Sequence, residues 1–198
     1  MSKIAILNDT HIGIRNGSDI FLDNAEKFFS EVFFPYCVEN NIKRILHLGD
    51  YFDHRKYINI KVLNRNNEFF ISKLYEYDMT MDIIPGNHCV YFKNTNRLNS
   101  LEEVLGRYDR INIHMNPTDV DIDGVSIGML PWISSDNYDE CMEFIQKSKS
   151  SIIASHLELN GFKMMKGGMI ASHGMDPRLF SRYEMVLSGH YHTKSDSG

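Results

Sequence analysis

Short apolar runs alternate with stretches of helical periodicity through the first half of the chain. Lys3 to Asn8 reads as a buried first strand and runs into Asp9-Thr10-His11. Residues 19–40 place Ala25, Phe28, Phe29 and Val32 at the spacing of one buried helical face, and Pro35 is expected to kink or split that helix. Lys43 to Leu48 is a second strand. Residues 59–77 form a second helix with Val62, Phe69, Phe70 and Leu74 as core contacts. Met79 to Ile84 is a third strand, ended by Pro85-Gly86-Asn87-His88, and residues 97–107 read as a short helix. This β-α-β-α-β order predicts a largely parallel sheet with crossover helices.

The second half has a different rhythm. Asp119 to Asp123 and Val125 to Leu130 flank Asp123-Gly124, a hairpin signal. Residues 136–147 read as a helix, Ser151 to Ser155 as a strand leading to His156, and Glu184 to Leu187 as a last strand ending at Ser188-Gly189-His190-Tyr191-His192. Residues 160–175, rich in glycine and methionine, read as a loop. There is no internal repeat, low-complexity tract or interdomain linker, so residues 1–198 are expected to form one domain.

Bulk properties narrow the choice. At 198 residues the chain is long enough for one sizeable core. No apolar run approaches the roughly 20 residues of a membrane helix, and the first residues lead straight into a strand, so a cytoplasmic protein is expected. Cys37, Cys89 and Cys141 form no zinc pattern and read as reduced thiols. A net charge of −5 argues against a broad basic footprint for nucleic acid. It does not exclude an enzyme of nucleic acid, because divalent cations reverse the local sign of a carboxylate-rich site.

The chemistry gathers at strand ends. Asp9-x-His11, Gly49-Asp50-x-x-Asp53, Gly86-Asn87-His88 and Gly189-His190-x-His192 each follow a predicted strand, and His156 follows a fifth. Open α/β sheets bind ligands at such ends. Any one motif is common by chance, but five in succession are not. The carboxylate of Asp50 has two oxygens, enough to bridge two cations about 3.5–4 Å apart. A set of histidine, carboxylate and amide without thiolate suits manganese, iron or zinc better than calcium.

With these motifs in hand, the sequence resembles the calcineurin-like metallophosphoesterases. Within them it is similar to the SbcD-type nucleases of double-strand-break repair, above all the small subunits of recombination endonucleases in T4-like phages. The supporting stretches are His47-Leu48-Gly49-Asp50-Tyr51-Phe52-Asp53, Pro131-Trp132, Glu158-Leu159-Asn160-Gly161-Phe162, Ser172-His173-Gly174 and Ser188-Gly189-His190-Tyr191-His192-Thr193. The resemblance implies an α/β, four-layer α-β-β-α sandwich of two mixed sheets flanked by helices. It implies two divalent metal ions, Mn2+ first with Mg2+, Fe2+ and Zn2+ as alternatives. Asp9, His11 and His192 would hold one and Asn87, His156 and His190 the other, with Asp50 bridging. His88 matches the family's catalytic histidine and is not expected to be a ligand. The implied substrate is DNA, the implied partner an SbcC-type ATPase subunit, and the implied setting the cytoplasm of a bacterial host.

Two positions depart from the pattern. Many relatives carry an acid after Gly-Asn-His where this chain has Cys89, which bears on how His88 is oriented. Asp53 stands where some repair nucleases have histidine, and is expected beside the site, supporting ligands. His54, Tyr91, Lys93 and Arg97 are further candidates for lining the site or meeting substrate, and a basic–aromatic loop there could stack a base. His47 and His114 read as structural. His173, in the glycine-rich loop, and the methionines at 164, 165, 169 and 175 have both core and contact readings, and Trp132 reads as core. Relatives continue past the final motif with further strands and a partner-binding region. The polar tail Lys194–Gly198 cannot supply a strand, so an uncovered sheet edge and a homodimer, through that edge or the 19–40 helix, are expected. Two other functions stay open: a phosphoesterase of phosphoproteins, nucleotides or cyclic nucleotides on the same scaffold, and an inactive binding module, although no ligand position is lost here.

Overall fold

A computed structural model of the chain describes residues 3–193. The tail Lys194–Gly198 lies outside the described residues. The first sheet holds β1 (Ile4–Leu7), β2 (Arg44–His47), β3 (Thr80–Ile83) and β4 (Ile111–Ile113), in that order and all parallel. The second holds β5 (Thr118–Ile122), β6 (Val125–Leu130), β7 (Ile152–His156) and β8 (Met185–Gly189). Its β5–β6 hairpin is antiparallel and the other pairs are parallel. Only the second sheet is therefore mixed, because each connection in the first is a crossover. β4 escapes a reading of the sequence: its three residues, Ile-Asn-Ile, are too few to show a period.

Strand alternation divides the core into layers. Ile45, Met81 and Ile83 pack outward against the phenylalanines of the helices. Leu46, Leu48 and Ile84 turn the other way, onto Ile122, Ile127, Met129 and Ala154 of the second sheet. Beyond that sheet, α5 (Tyr138–Lys147) packs Cys141 and Ile145 on Ile153, Phe180 and Tyr183. The result is the helix–sheet–sheet–helix sandwich. One polar group interrupts the layer between the sheets. Asp82 is buried, and takes Arg44 Nε at 2.8 Å and His114 Nε2 at 2.9 Å. His114 is thus structural, as is His47, whose Nε2 lies 3.0 Å from Thr10 Oγ1.

The helix expected over 19–40 is continuous but not uniform. α1 (Asp19–Phe28) passes through a π-helical turn, Phe29–Phe33, into α2 (Phe34–Glu39). Pro35 cannot donate to the carbonyl four residues back, and its ring would clash there; the widened turn just before it absorbs the misfit without a break. The buried face is already set where that turn begins. Leu22 and Phe29 are buried, followed by Phe33, Phe34 and Cys37, while Phe28 and Val32, both expected in the core, stand exposed at 45% and 56%. The second helix behaves as read: α3 (Ile60–Asn66), a π-turn at Asn67–Ile71 and α4 (Ser72–Glu76) bury Val62, Phe69, Phe70 and Leu74. The expected helix over 97–107 shrinks to one π-turn, Leu101–Leu105, begun by Asn99 Oδ1 accepting from the Glu102 N–H. The residues before it are held in a tight loop by the Tyr91–Leu98 and Ser100–Cys89 backbone bonds.

Residues 160–175 are irregular, but they are tied down. Bridges join Leu159 to Met175, Lys163 to Ile170 and Met165 to His192. Cys37, Cys89 and Cys141 are all free and buried. Among the described residues no helix is long and apolar enough to cross a membrane.

Candidate active site

Parallel strands end at one edge, and both sheets end at the same place. The segment after β1 continues beside the segment after β2: the Asp9 N–H donates to Gly49, His11 to Asp50 and Ile12 to Tyr51. The second sheet is joined on by His156 Nδ1, 2.7 Å from the Leu48 carbonyl, and by the His190 N–H, 3.1 Å from both Asp9 carboxylate oxygens. The approach is so close that two positions must be glycine. A Cβ on Gly49, at φ +96°, would sit 2.7 Å from His156 and 2.9 Å from Gly86; one on Gly86 would collide with the Asp50 carboxylate. Asp9, His11, Asp50 and His190 themselves have positive φ, at 49°, 42°, 53° and 86°. Non-glycine residues in the left-handed region cost energy and cluster at functional sites.

Two lone-pair clusters flank the buried Asp50 carboxylate. In the first, His11 Nε2 lies 3.8 Å from Asp50 Oδ2 and 3.9 Å from Asp9 Oδ1, and His192 Nε2 lies 3.6 Å from Asp9 Oδ1. His11 Nδ1 is 3.2 Å from Asp53 Oδ1, but the alignment is too poor for a hydrogen bond, so both ring nitrogens are buried without a partner. In the second cluster, His156 Nε2 lies 3.3 Å from Asp50 Oδ2. One end of the Asn87 side-chain amide lies 3.1 Å from His156 Nε2, 2.9 Å from His190 Nδ1 and 3.3 Å from Asp50 Oδ2. A carbonyl can only accept, so the hydrogen bond to Leu48 keeps the proton on His156 Nδ1 and aims Nε2 at the cluster. Orphaned ring nitrogens on one side of the Asp50 carboxylate, and three polar atoms converging on its other side, are what a pair of hard-to-borderline divalent cations would satisfy.

The electrostatics follow the packing. Burial raises the Asp50 carboxyl, but the His156 imidazole and the His88 backbone N–H outweigh it and hold it at about 2. Burial also works on the histidines. It lowers His11, and it lowers His190 with help from His156. On His156 the neighbouring Asp50 carboxylate wins instead and raises it.

His88 stands between the clusters and the opening. Its backbone N–H donates to Asp50 Oδ1 at 2.7 Å, and its Nδ1 lies 2.6 Å from the Asp53 carbonyl oxygen. Asp53, not the residue after His88, therefore sets the ring. Cys89 is fully buried, and desolvation pushes its thiol up to about 12. His88 could also join His11 and Asp53 in a third cluster of ligand atoms. The cleft they share, about 340 Å³, is walled by Met164 and Met165 from the methionine-rich loop.

The remaining candidates divide. His54 stacks on Tyr57 with rings 4.5 Å apart, its Nε2 3.8 Å from Asp53. Tyr91 lies under the Lys56 ammonium at 5.5 Å. Lys93 is exposed, and Arg97 turns away to Asp136 at 3.1 Å, so the structure does not bring these two to the cluster. His173 meets Glu158 at 2.8 Å. Trp132, read as core, is half-buried against two of the clustered rings, 5.9 Å from His156 and 5.4 Å from His190. The sequence reading missed Arg55, whose Nη2 lies 3.1 Å from the far end of the Asn87 amide. Its signal was position: a cation two residues past Asp53 on the same strand-end loop.

Comparison with known proteins agrees with this geometry. The sequence profile of the calcineurin-like phosphoesterases matches residues 2–194. Exonuclease subunit 1 of Enterobacteria phage T4 is 34% identical over 195 residues, 98% of this chain and 56% of the relative. The chain thus spans about half the length of that protein. A solved structure of a protein of unknown function from Aquifex aeolicus matches 96% of this chain and 90% of its own, at 14% identity and a TM-score of 0.45, too loose to bear on function. The profile match over nearly the whole chain, on the fold and strand-end histidines and carboxylates just described, makes this chain a member of the calcineurin-like phosphoesterase family, a group of metal-dependent hydrolases.

Proposed function

We propose that residues 1–198 act as the nuclease domain of a DNA-processing enzyme that hydrolyses phosphodiester bonds with two divalent cations, Mn2+ first among them. The observation that carries this reading is Asp50, whose Oδ2 stands between His11 at 3.8 Å and His156 at 3.3 Å. Asp9, His11 and His192 would hold one cation, Asn87, His156 and His190 the other, and Asp50 both. Cations there would neutralise charge on the phosphate oxygens and lower the pKa of an attacking water. The rest falls to the chain's own groups. With Nδ1 tied to the Asp53 carbonyl, His88 keeps Nε2 for the cleft it lines. From there a protonated His88 gives its Nε2 proton to the leaving oxygen as the P–O bond breaks, and ends as neutral imidazole. Asp53 positions it and also lies against His11.

The name of the T4 relative, exonuclease subunit 1, supports both a nuclease and a place in a larger assembly. In this reading the partner is an SbcC-type ATPase and the setting the bacterial cytoplasm. With Mn2+ the protein should cleave duplex DNA and leave p-nitrophenyl phosphate almost untouched. The reverse preference would make it a phosphomonoesterase, and hydrolysis of neither would make it a binding module. Given the net charge of −5, DNA binding should be weak, with a shallow salt dependence. Steep salt dependence by metal-free protein would reveal a basic groove and overturn that expectation.

Self-association is part of the same proposal. The outer side of the 19–40 helical stretch shows Ile20, Phe21, Phe28, Val32 and Tyr36 to solvent. Contiguous apolar side chains on one helix fit a second copy of the chain. Sedimentation should give a dimer at micromolar concentration; a strict monomer there refutes it.

A further inference from the structure

We propose that Arg55 is the residue that holds the substrate's phosphodiester group, and that the Asn87 amide couples its release to cation binding. The proposal rests on the phosphodiester reading and deepens it.

The Asn87 amide sits between two demands. One end faces His190 Nδ1, His156 Nε2 and Asp50 Oδ2; the other faces Arg55 Nη2 at 3.1 Å. An amide has one accepting end and one donating end. With its NH2 toward the three acceptors, it donates to them, and its oxygen accepts from Arg55. Its two N–H groups can then serve two of the three acceptors at a time, and its oxygen has a donor, with no cation. With its oxygen toward the cluster, that oxygen is offered to a bound cation or to a ring N–H there. The NH2 then faces the guanidinium, donor against donor, and Arg55 loses that bond. The cation and Arg55 therefore compete for one oxygen.

Among the described residues Arg55 has no carboxylate partner, as Arg15, Arg107 and Arg182 have none, whereas Arg44, Arg65, Arg97, Arg110 and Arg178 each meet a carboxylate. It is half-buried, so its charge is only partly hydrated. A guanidinium freed in that place is matched to an anion with two oxygens side by side, which the phosphodiester brings. The arrangement orders events: cations first, then a released Arg55, then phosphate.

The test uses the full chain and its Arg55→Met and Arg55→Lys variants, with melting temperature as the check on folding. Calorimetry with Mn2+ alone should show Arg55→Met binding the cation about 3- to 10-fold more tightly than wild type, since no bond to Asn87 must break. The gain should persist at roughly 0.5 M salt, where a mere loss of repelling charge is screened. Unchanged or weaker Mn2+ binding, or a gain that disappears in salt, overturns the coupling. With thymidine 5′-(p-nitrophenyl phosphate) as the probe, Arg55→Met should raise KM about 10- to 100-fold and leave kcat within about threefold, with Arg55→Lys between. A fall in kcat at constant KM overturns the phosphate role. If wild-type protein hydrolyses no phosphodiester, the nuclease reading falls by itself, and the calorimetry still decides whether Arg55 and the cation compete.

Discussion

Asp50→Asn should be the most damaging single substitution in this protein, lowering turnover by about 10³-fold or more. The carboxylate is 2% exposed, touches both clusters and is held ionised at about 2. Asparagine replaces one oxygen with an amide nitrogen and removes the charge both cations would share. The backbone should not register the change. Residue 50 sits at φ 53°, and asparagine tolerates the left-handed region as well as aspartate does. The His88 N–H can still donate to the remaining oxygen. Loss of function would therefore report the site rather than the fold. In calorimetry both Mn2+ sites should weaken together, with the melting temperature of the metal-free protein little changed. Two Mn2+ ions bound at wild-type affinity would end the bridging assignment.

His88→Ser should have the second largest effect, about 10²–10⁴-fold on turnover with cation binding intact. The Asp53 carbonyl takes one ring nitrogen at 2.6 Å and leaves one for substrate. The geometry also permits His88 as a ligand beside His11 and Asp53. The two roles separate cleanly, because a ligand's loss empties or weakens a site and a proton donor's loss does not. Anomalous scattering from Mn2+ crystals of the variant should show both ions; one missing ion would move His88 into the ligand set.

Met164 and Met165 wall the cleft, and Met165 pairs with His192 at its rim. His192 is the most exposed of the clustered residues, at 58% of its side chain, so the methionine-rich loop borders the least protected corner of the site. Methionine's flexible, polarizable side chain suits a wall that would have to admit DNA if the proposed function holds.

Local sequence was enough for the frame. Strands β1, β2 and β3, the second helix and the Asp-Gly hairpin announce themselves through period and turn chemistry, and the strand-end clusters follow from where the apolar runs stop. The residues at those ends were named from sequence because their types are rare together and their spacing is tied to the strands. What the sequence could not carry was any quantity set across the chain. The buried face of the 19–40 helix runs through Leu22, Ala25, Phe29 and Phe33, so Phe28 and Val32, each one position before a buried phenylalanine, face solvent. The short β4 has no periodicity of its own and exists because β3 offers it an edge. Arg55 and Trp132 join the site through Asn87 and the two histidine rings, partners far from them in the chain. Arg97 leaves it because Asp136 is nearer. Period and residue type are local properties, readable in order; partner choice and the direction a side chain faces depend on which distant segment the packed sheets bring alongside.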